Sequence, residues 1–149
     1  MIEIQKLKPF WDKFIRVIAT ISPLVDLGVR LWVANVFFTS GLTKIQNWSS
    51  TISLFENEYA VPILPPEIAA YLGTAAELSL PVFLVLGLLT RPAAIALFVF
   101  NIVAALTYPD ISALGIKDHQ VWGLLMLVTI VHGPGKLSLD YWLKCKFFK

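Results

Sequence analysis

The stretch Leu24–Ile45, LVDLGVRLWVANVFFTSGLTKI, decides the fold of this chain. Its 22 residues match the roughly 20 that an α-helix needs to cross a bilayer. The stretch nevertheless carries Arg30 well inside it and Lys44 near its far end. Because a charged side chain near the bilayer centre costs roughly 2.5–3.5 kcal/mol, Arg30 requires a partner. Glu77 is the one carboxylate inside a later apolar run, and the sequence predicts that it pairs with Arg30.

The composition is that of an integral membrane protein. Hydrophobic residues make up 57% of the 149 residues and charged residues only 15%, with a mean hydropathy of +0.73. A soluble domain is nearer about half apolar and a quarter charged. The net charge of +2 is small and no basic stripe is interleaved with exposed aromatic residues, which argues against nucleic-acid binding. The single cysteine, Cys145, cannot form an intramolecular disulfide or a CxxC redox pair.

Four apolar runs within a single domain, residues 1–149, are predicted to cross the membrane. The predicted spans cover about residues 24–45, 67–89, 93–108 and 118–133. The turn between the second and third spans is tight, with Thr90 predicted to cap the third helix, so these spans are antiparallel neighbours. The fold class is therefore predicted to be all-α, a polytopic membrane protein with an antiparallel four-transmembrane-helix bundle.

The segments outside the spans are predicted to be amphipathic. Residues 1–22 place Leu7, Phe10, Trp11, Phe14, Ile18 and Ile21 on one helical face and basic residues on the other. This pattern suits a helix lying in the membrane interface, and it equally suits a basic lead-in that only fixes the topology. Ser22-Pro23 is predicted to separate this segment from the first span. Residues 134–149 are predicted to form a basic tail, and residues 46–66 to hold a short surface helix.

The distribution of lysine and arginine predicts the topology. Nine of these residues lie in the N-terminal segment, the second turn and the tail, whereas only Lys44 and Lys117 lie in the two opposite loops. By the positive-inside rule both termini are cytoplasmic, in a multi-pass protein of the bacterial inner membrane. No small-residue cleavage site follows the first apolar stretch, so the first span is expected to serve as an uncleaved insertion signal.

The charged residues of the spans are predicted to form one polar seam inside the bundle. Arg30, Ala34, Phe37, Gly41 and Lys44 lie at offsets 0, 4, 7, 11 and 14, a single helical stripe. Small residues beside polar ones mark a face that packs against other helices. The predicted seam consists of Arg30, Lys44 and Glu77, with Asn35 and Asn101 as further candidates.

Two interpretations of the Arg30–Glu77 pair stay open at this point. The pair can be a structural ion pair that fixes helix register, or it can be a site for a polar headgroup or a proton. His119 and His132 lie at opposite ends of one predicted helix with no carboxylate cluster beside them, so no metal site is predicted. The sequence has no Ser–His–Asp arrangement, GxGxxG or P-loop pattern, so it does not support catalysis by this chain alone.

Several short motifs in order resemble the DoxX family of small bacterial membrane proteins. They are RLW at residues 30–32, GLTK at 41–44, ELSLPVFLVLGLLTR at 77–91 and the closing GPGKLSLD at 133–140. The resemblance covers roughly residues 24–143. It implies a four-helix integral membrane protein associated with quinone-linked oxidoreductase systems. Relatives include subunits of a quinol oxidase or a thiosulfate:quinone oxidoreductase, and membrane partners of soluble redox enzymes.

The leading hypothesis is a non-catalytic membrane subunit of a redox system, rather than an enzyme alone. The seam would bind a quinone or a lipid headgroup, or would anchor a partner enzyme. Glu77 would hold a proton, and Arg30 would hold the carboxylate or a quinone carbonyl. The chain has no redox centre of its own, so electrons would come from a partner protein. A second copy of the chain, in a homo-oligomer, is a further candidate partner. Two alternatives are a small transporter or proton pathway and a purely structural scaffold.

Overall fold

The computed structural model describes residues 2–147, with side chains from Leu7 onward, and this part of the chain contains helices and no strands. The helices are α1 (Ile2–Gln46), α2 (Trp48–Asn57), α3 (Pro66–Leu86), α4 (Thr90–Thr107), α5 (Ala113–His132) and α6 (Leu139–Phe147). Helices α1, α3, α4 and α5 are long and apolar enough to cross a membrane. The predicted all-α polytopic membrane fold is confirmed. The predicted lead-in and tail also include Met1, Phe148 and Lys149, which lie outside the described residues.

The four spans close into an antiparallel bundle. Helix α1 packs on α3 and α5, and α4 packs on the same two helices from the other side. The core is built from aliphatic residues, one phenylalanine and one methionine, namely Val33, Ala34, Phe37, Leu84, Ala93, Ala94, Leu97 and Met126. Helix α2 lies against α1 and α3 at one end of the bundle, the α2 end. The α3–α4 turn and the start of α6 lie together at the opposite end, the terminal end.

Helix α1 differs from the prediction because it continues through Ser22-Pro23. A proline inside a helix removes one backbone hydrogen bond. The long helical runs on both sides of Pro23 compensate for this loss, so the helix continues. The 45 residues of α1 span about 67 Å at 1.5 Å per residue. This is about twice the ~30 Å of a bilayer core. The side chains from Leu7 to Val25 are largely exposed, so this part of α1 projects past the bundle.

The span boundaries differ from the predicted ones by a few residues. Helix α3 ends at Leu86 because Gly87 adopts a left-handed conformation, φ +66°, and its N–H donates to Leu84 O. Helix α5 begins at Ala113, earlier than predicted, because the Ser112 side chain caps it by accepting from Gly115 N. Its 20 residues cover about 30 Å, which is enough to cross the bilayer core.

The start of α4 is capped by the tail rather than by Thr90. The Asp140 carboxylate accepts the N–H groups of Leu89 and Thr90, both at 2.9 Å, and the Thr90 hydroxyl at 2.8 Å. Asp140 N in turn donates to Gly87 O at 2.8 Å. A carboxylate at a helix N-terminus satisfies free N–H groups and complements the helix dipole. Asp140 therefore fastens the beginning of α6 to the α3–α4 turn.

We expect Asp140→Ala to detach α6 from the bundle, because it removes three hydrogen bonds to the α4 N-terminus. Loss of a capping side chain costs about 1–2 kcal/mol. The natural cysteine, Cys145, is exposed on α6 and takes a spin label without further mutation. The label should become clearly more mobile in Asp140→Ala and stay unchanged in Asp110→Ala, which removes a carboxylate from the α4–α5 loop. Equal label mobility in wild type and Asp140→Ala would contradict this role.

Candidate functional site

The structure divides the predicted polar seam into two separate clusters. Arg30 does not meet Glu77, so that predicted pairing is wrong. At the terminal end, Arg30 Nη1 donates to Leu84 O at 2.8 Å and Nη2 donates to Leu137 O. Nearer the α2 end, Glu77 forms an ion pair with Lys44 at 2.7 Å. The predicted stripe does face the bundle, but its two cations, Arg30 and Lys44, contact different partners.

The direction of helical side chains explains why Glu77 pairs with Lys44. A helical Cα–Cβ bond tilts toward the N-terminus of its helix. On α1 this tilts Arg30 toward the terminal end and tilts Lys44 from the α2 end toward the middle. On the antiparallel α3 it tilts Glu77 toward Lys44 and away from Arg30. Depth along the helices alone would place Arg30 and Glu77 within reach of each other, so the direction of each side chain decides the pairing.

Ser40 completes the cluster around Glu77. Lys44 Nζ donates to Glu77 Oε1 and Oε2 at 2.8 and 2.7 Å, and to Ser40 Oγ at 2.9 Å. Ser40 Oγ donates to Oε1 at 3.1 Å. The Lys44 and Glu77 side chains are only 12% and 7% exposed. Ser40 was missed at the sequence level, although its position four residues before Lys44 places it on the same helical face.

Gly41 permits the close approach of α1 to α3 that this cluster needs. A Cβ atom at Gly41 would lie 2.9 Å from the Leu78 side chain and 3.1 Å from Glu77 Cβ. Both distances are tighter than ordinary van der Waals contacts. Gly41, which the sequence places on the inward stripe, therefore lies at the close contact between α1 and α3, next to the Lys44–Glu77 pair.

A cavity of about 290 Å³ adjoins the Lys44–Glu77 pair. Its lining is Lys44, Phe55, Tyr59, Val61, Leu64, Ala69, Leu72, Gly73, Ala76, Glu77, Phe100, Val103, Ala104 and Thr107. The wall is apolar except for the charged pair, the Tyr59 hydroxyl and Thr107. Leu72 on α3 and Val103 on α4 are both exposed on the outside of the bundle. The cavity therefore lies beside a lipid-facing surface between these two helices.

Tyr59 provides a hydrogen-bond donor at the cavity. Burial raises the pKa of its phenol, and the neighbouring Glu77 carboxylate raises it further. The hydroxyl is therefore protonated at neutral pH. In the part of the chain that the structure describes, no residue hydrogen-bonds this hydroxyl. The ring itself is held by stacking on Phe55 at 4.8 Å and by contact with Tyr108 at 5.1 Å between ring centroids.

Asn101 and Asn35 lie outside the Glu77 cluster. Asn101 is buried on α4, where its Nδ2 donates to His119 O at 3.0 Å and its Oδ1 lies 2.8 Å from His119 Nδ1. This amide therefore joins α4 to α5. Asn35 is exposed on α1 and borders a shallow groove beside Pro81. Of the five candidate residues, the structure brings only Lys44 and Glu77 into contact.

Comparisons with known proteins agree with the fold. The DoxX family model matches residues 25–110. A Haemophilus influenzae protein described as uncharacterized is 32% identical over 127 residues, which cover 79% of this chain and 82% of that protein. The inner membrane protein YphA of Escherichia coli is 26% identical over 129 residues, 79% of this chain and 89% of YphA. No solved structure matches this chain.

Proposed function

Starting from the fact that this chain belongs to the DoxX family of membrane proteins, we propose that it is a subunit of a quinone-linked redox system. In this proposal it resides in the bacterial inner membrane, as the name of its relative YphA states for that protein. It binds the quinone head group in the cavity beside Lys44 and Glu77. Electrons reach the quinone from a partner protein.

The observation that carries the proposal is an apolar cavity with a charged, hydrogen-bonding end. Ligand sites are typically apolar and fix their ligand through a few placed polar groups. A quinone ring is flat and apolar and accepts hydrogen bonds at its carbonyls. The Tyr59 hydroxyl supplies a donor near the charged pair, and the Phe55 and Phe100 rings supply apolar walls. The neighbouring lipid-facing surface suits a ligand that dissolves in the bilayer.

Glu77 is the group that handles protons in this proposal. Reduction of a quinone to a quinol adds two electrons and two protons, and intramembrane carboxylates commonly serve in proton relays. Glu77 Oε2 accepts only the Lys44 bond, so it retains capacity for a further hydrogen bond. The Tyr59 hydroxyl, rather than Arg30, donates to a quinone carbonyl, because Arg30 donates to backbone carbonyls at the other end of the bundle. Lys44 is not available for this role, since its three N–H groups donate to Glu77 and Ser40.

We expect Ala104→Phe to reduce quinone binding about tenfold or more, which corresponds to about 1.4 kcal/mol of binding free energy. Ala104 lines the cavity, so the added ring occupies the ligand's place. Ala105→Phe is the matched control, because Ala105 is equally half-buried but borders a groove between α4 and α5. Ubiquinone and menaquinone are extracted from each purified protein and quantified by mass spectrometry. Rebinding of a short-chain benzoquinone is measured by calorimetry.

Each outcome of this comparison supports or overturns the proposal. Quinone retained by wild type and Ala105→Phe but lost in Ala104→Phe supports the cavity as the site. No quinone in wild type, or equal quinone in both variants, overturns it. Proton flux in liposomes that is abolished by Glu77→Gln would instead support a proton pathway.

A further inference from the structure

A second groove lies at the terminal end, between the α4 N-terminus, the α5 C-terminus and α6. It measures about 510 Å³ and is bordered by Arg91, His132, Lys136 and Lys144, with Asp140 as the only carboxylate of the lining. With His132 neutral, three positive charges and one negative charge give the lining a net charge of +2. This groove is at the opposite end of the bundle from the cavity of the proposed function and is independent of it.

Hydrogen bonds hold the Arg91 guanidinium and the Asp140 carboxylate of this groove in place. Arg91 Nε donates to Ile130 O at 3.0 Å and Nη2 donates to Val131 O at 3.2 Å, which fixes the guanidinium over the end of α5. Gly133, with φ +88°, leaves room for it, because a Cβ there would lie 3.1 Å from Arg91 Nη2. Asp140 is engaged with the α4 N-terminus through three hydrogen bonds. Among the described residues, neither Lys136 nor Lys144 forms an ion pair with Asp140, so their charges are available to a ligand.

We propose that this groove binds the phosphate of an anionic lipid headgroup. Basic pockets at the ends of membrane spans bind such headgroups. The groove lies where α4 begins and α5 ends, which is the level of the headgroups. Leu89, which belongs to the lining, is 58% exposed, and Val131 beside His132 on the last turn of α5 is also exposed, so apolar surface adjoins the basic groove. A phosphate with acyl chains matches both surfaces, whereas free phosphate matches only the charges.

The test compares lipid retention in two variants of equal charge change. Lys136→Gln/Lys144→Gln removes two cations from the groove, and Lys8→Gln/Lys13→Gln removes two from the projecting part of α1. Each protein is reconstituted in nanodiscs of phosphatidylcholine with a small fraction of phosphatidylglycerol, and bound lipid is counted by native mass spectrometry. We expect phosphatidylglycerol binding to fall on the order of tenfold in the groove variant and to change little in the α1 variant.

Thermal unfolding of each variant separates loss of binding from loss of fold, and Lys136→Arg/Lys144→Arg should restore binding. Equal losses in the groove and α1 variants, or no preference for phosphatidylglycerol over phosphatidylcholine in wild type, would overturn the proposal. Inorganic phosphate is added as a competitor to distinguish the two sources of the anion. Displacement of phosphatidylglycerol by millimolar phosphate would overturn the lipid assignment in favour of a free-anion site, and failure to displace it supports the lipid.

Discussion

Arg30→Met is expected to lower the free energy of unfolding by about 3 kcal/mol, because it removes the hydrogen bonds that a buried, charged guanidinium donates to the end of α3 and to Leu137 O. Arg30 is 1% exposed and donates to Leu84 O and Leu137 O, and more distantly to Val85 O. The last carbonyls of a helix have no partner inside the helix, and a cation there also complements the helix dipole. Unfolding in detergent, followed by circular dichroism at several denaturant concentrations, measures the change.

Two further variants test this explanation. Arg16→Met makes the same substitution on the exposed part of the same helix, and it should change stability by less than about 0.5 kcal/mol. Arg30→Lys keeps the charge but loses the planar fork that reaches α3 and the segment before α6 together, so it should recover only part of the loss. If Arg30→Met were as stable as Arg16→Met, the guanidinium would not hold these segments together.

The sequence predicts which face of a helix is buried better than it predicts which residues pair across the bundle. The stripe from Arg30 through Gly41 to Lys44 is a matter of rotation about one helix, which the 3.6-residue period determines. Arg30, Ala34, Phe37 and Gly41 are all buried, as the stripe predicts. Which carboxylate meets which cation depends also on depth and on the direction of each side chain. The relative depth and direction of two side chains depend on how α1 and α3 pack against each other, and the periodicity of one helix does not determine that packing.

The tail shows the same limit at longer range. The motif GPGKLSLD resembles the closing motif of the family, and local sequence patterns predict only a basic amphipathic tail there. In the structure, Leu137 accepts a hydrogen bond from Arg30, and Asp140 caps α4. Gly87 allows this packing, since a Cβ there would lie 2.5 Å from Ser138 Cβ. These contacts join residues 50 to 107 positions apart in the sequence, and no local sequence pattern predicts them.

Lys44→Met is expected to cost about 3–5 kcal/mol, because it leaves Glu77 buried without its cation. Glu77→Gln should also destabilise the fold, since Lys44 then keeps its charge with only Ser40 and a neutral amide as partners. The double variant Lys44→Met/Glu77→Gln removes both charges, so no unpaired charge stays buried. We therefore expect it to be more stable than Lys44→Met, with a coupling energy of at least about 1.5 kcal/mol in the cycle. The same unfolding assay measures all four proteins.

The double variant also separates a structural pair from a ligand site. Arg30→Met/Glu77→Gln is the control cycle, and its two changes should be nearly additive, because Arg30 and Glu77 belong to different clusters. If Lys44→Met/Glu77→Gln folds well but no longer retains quinone, the charges contribute to binding beyond packing, as the proposed function requires. If it folds and retains quinone in full, the pair only fixes the register of α1 against α3, and the scaffold interpretation prevails for these residues. Strong coupling between Arg30 and Glu77 would contradict the division into two clusters.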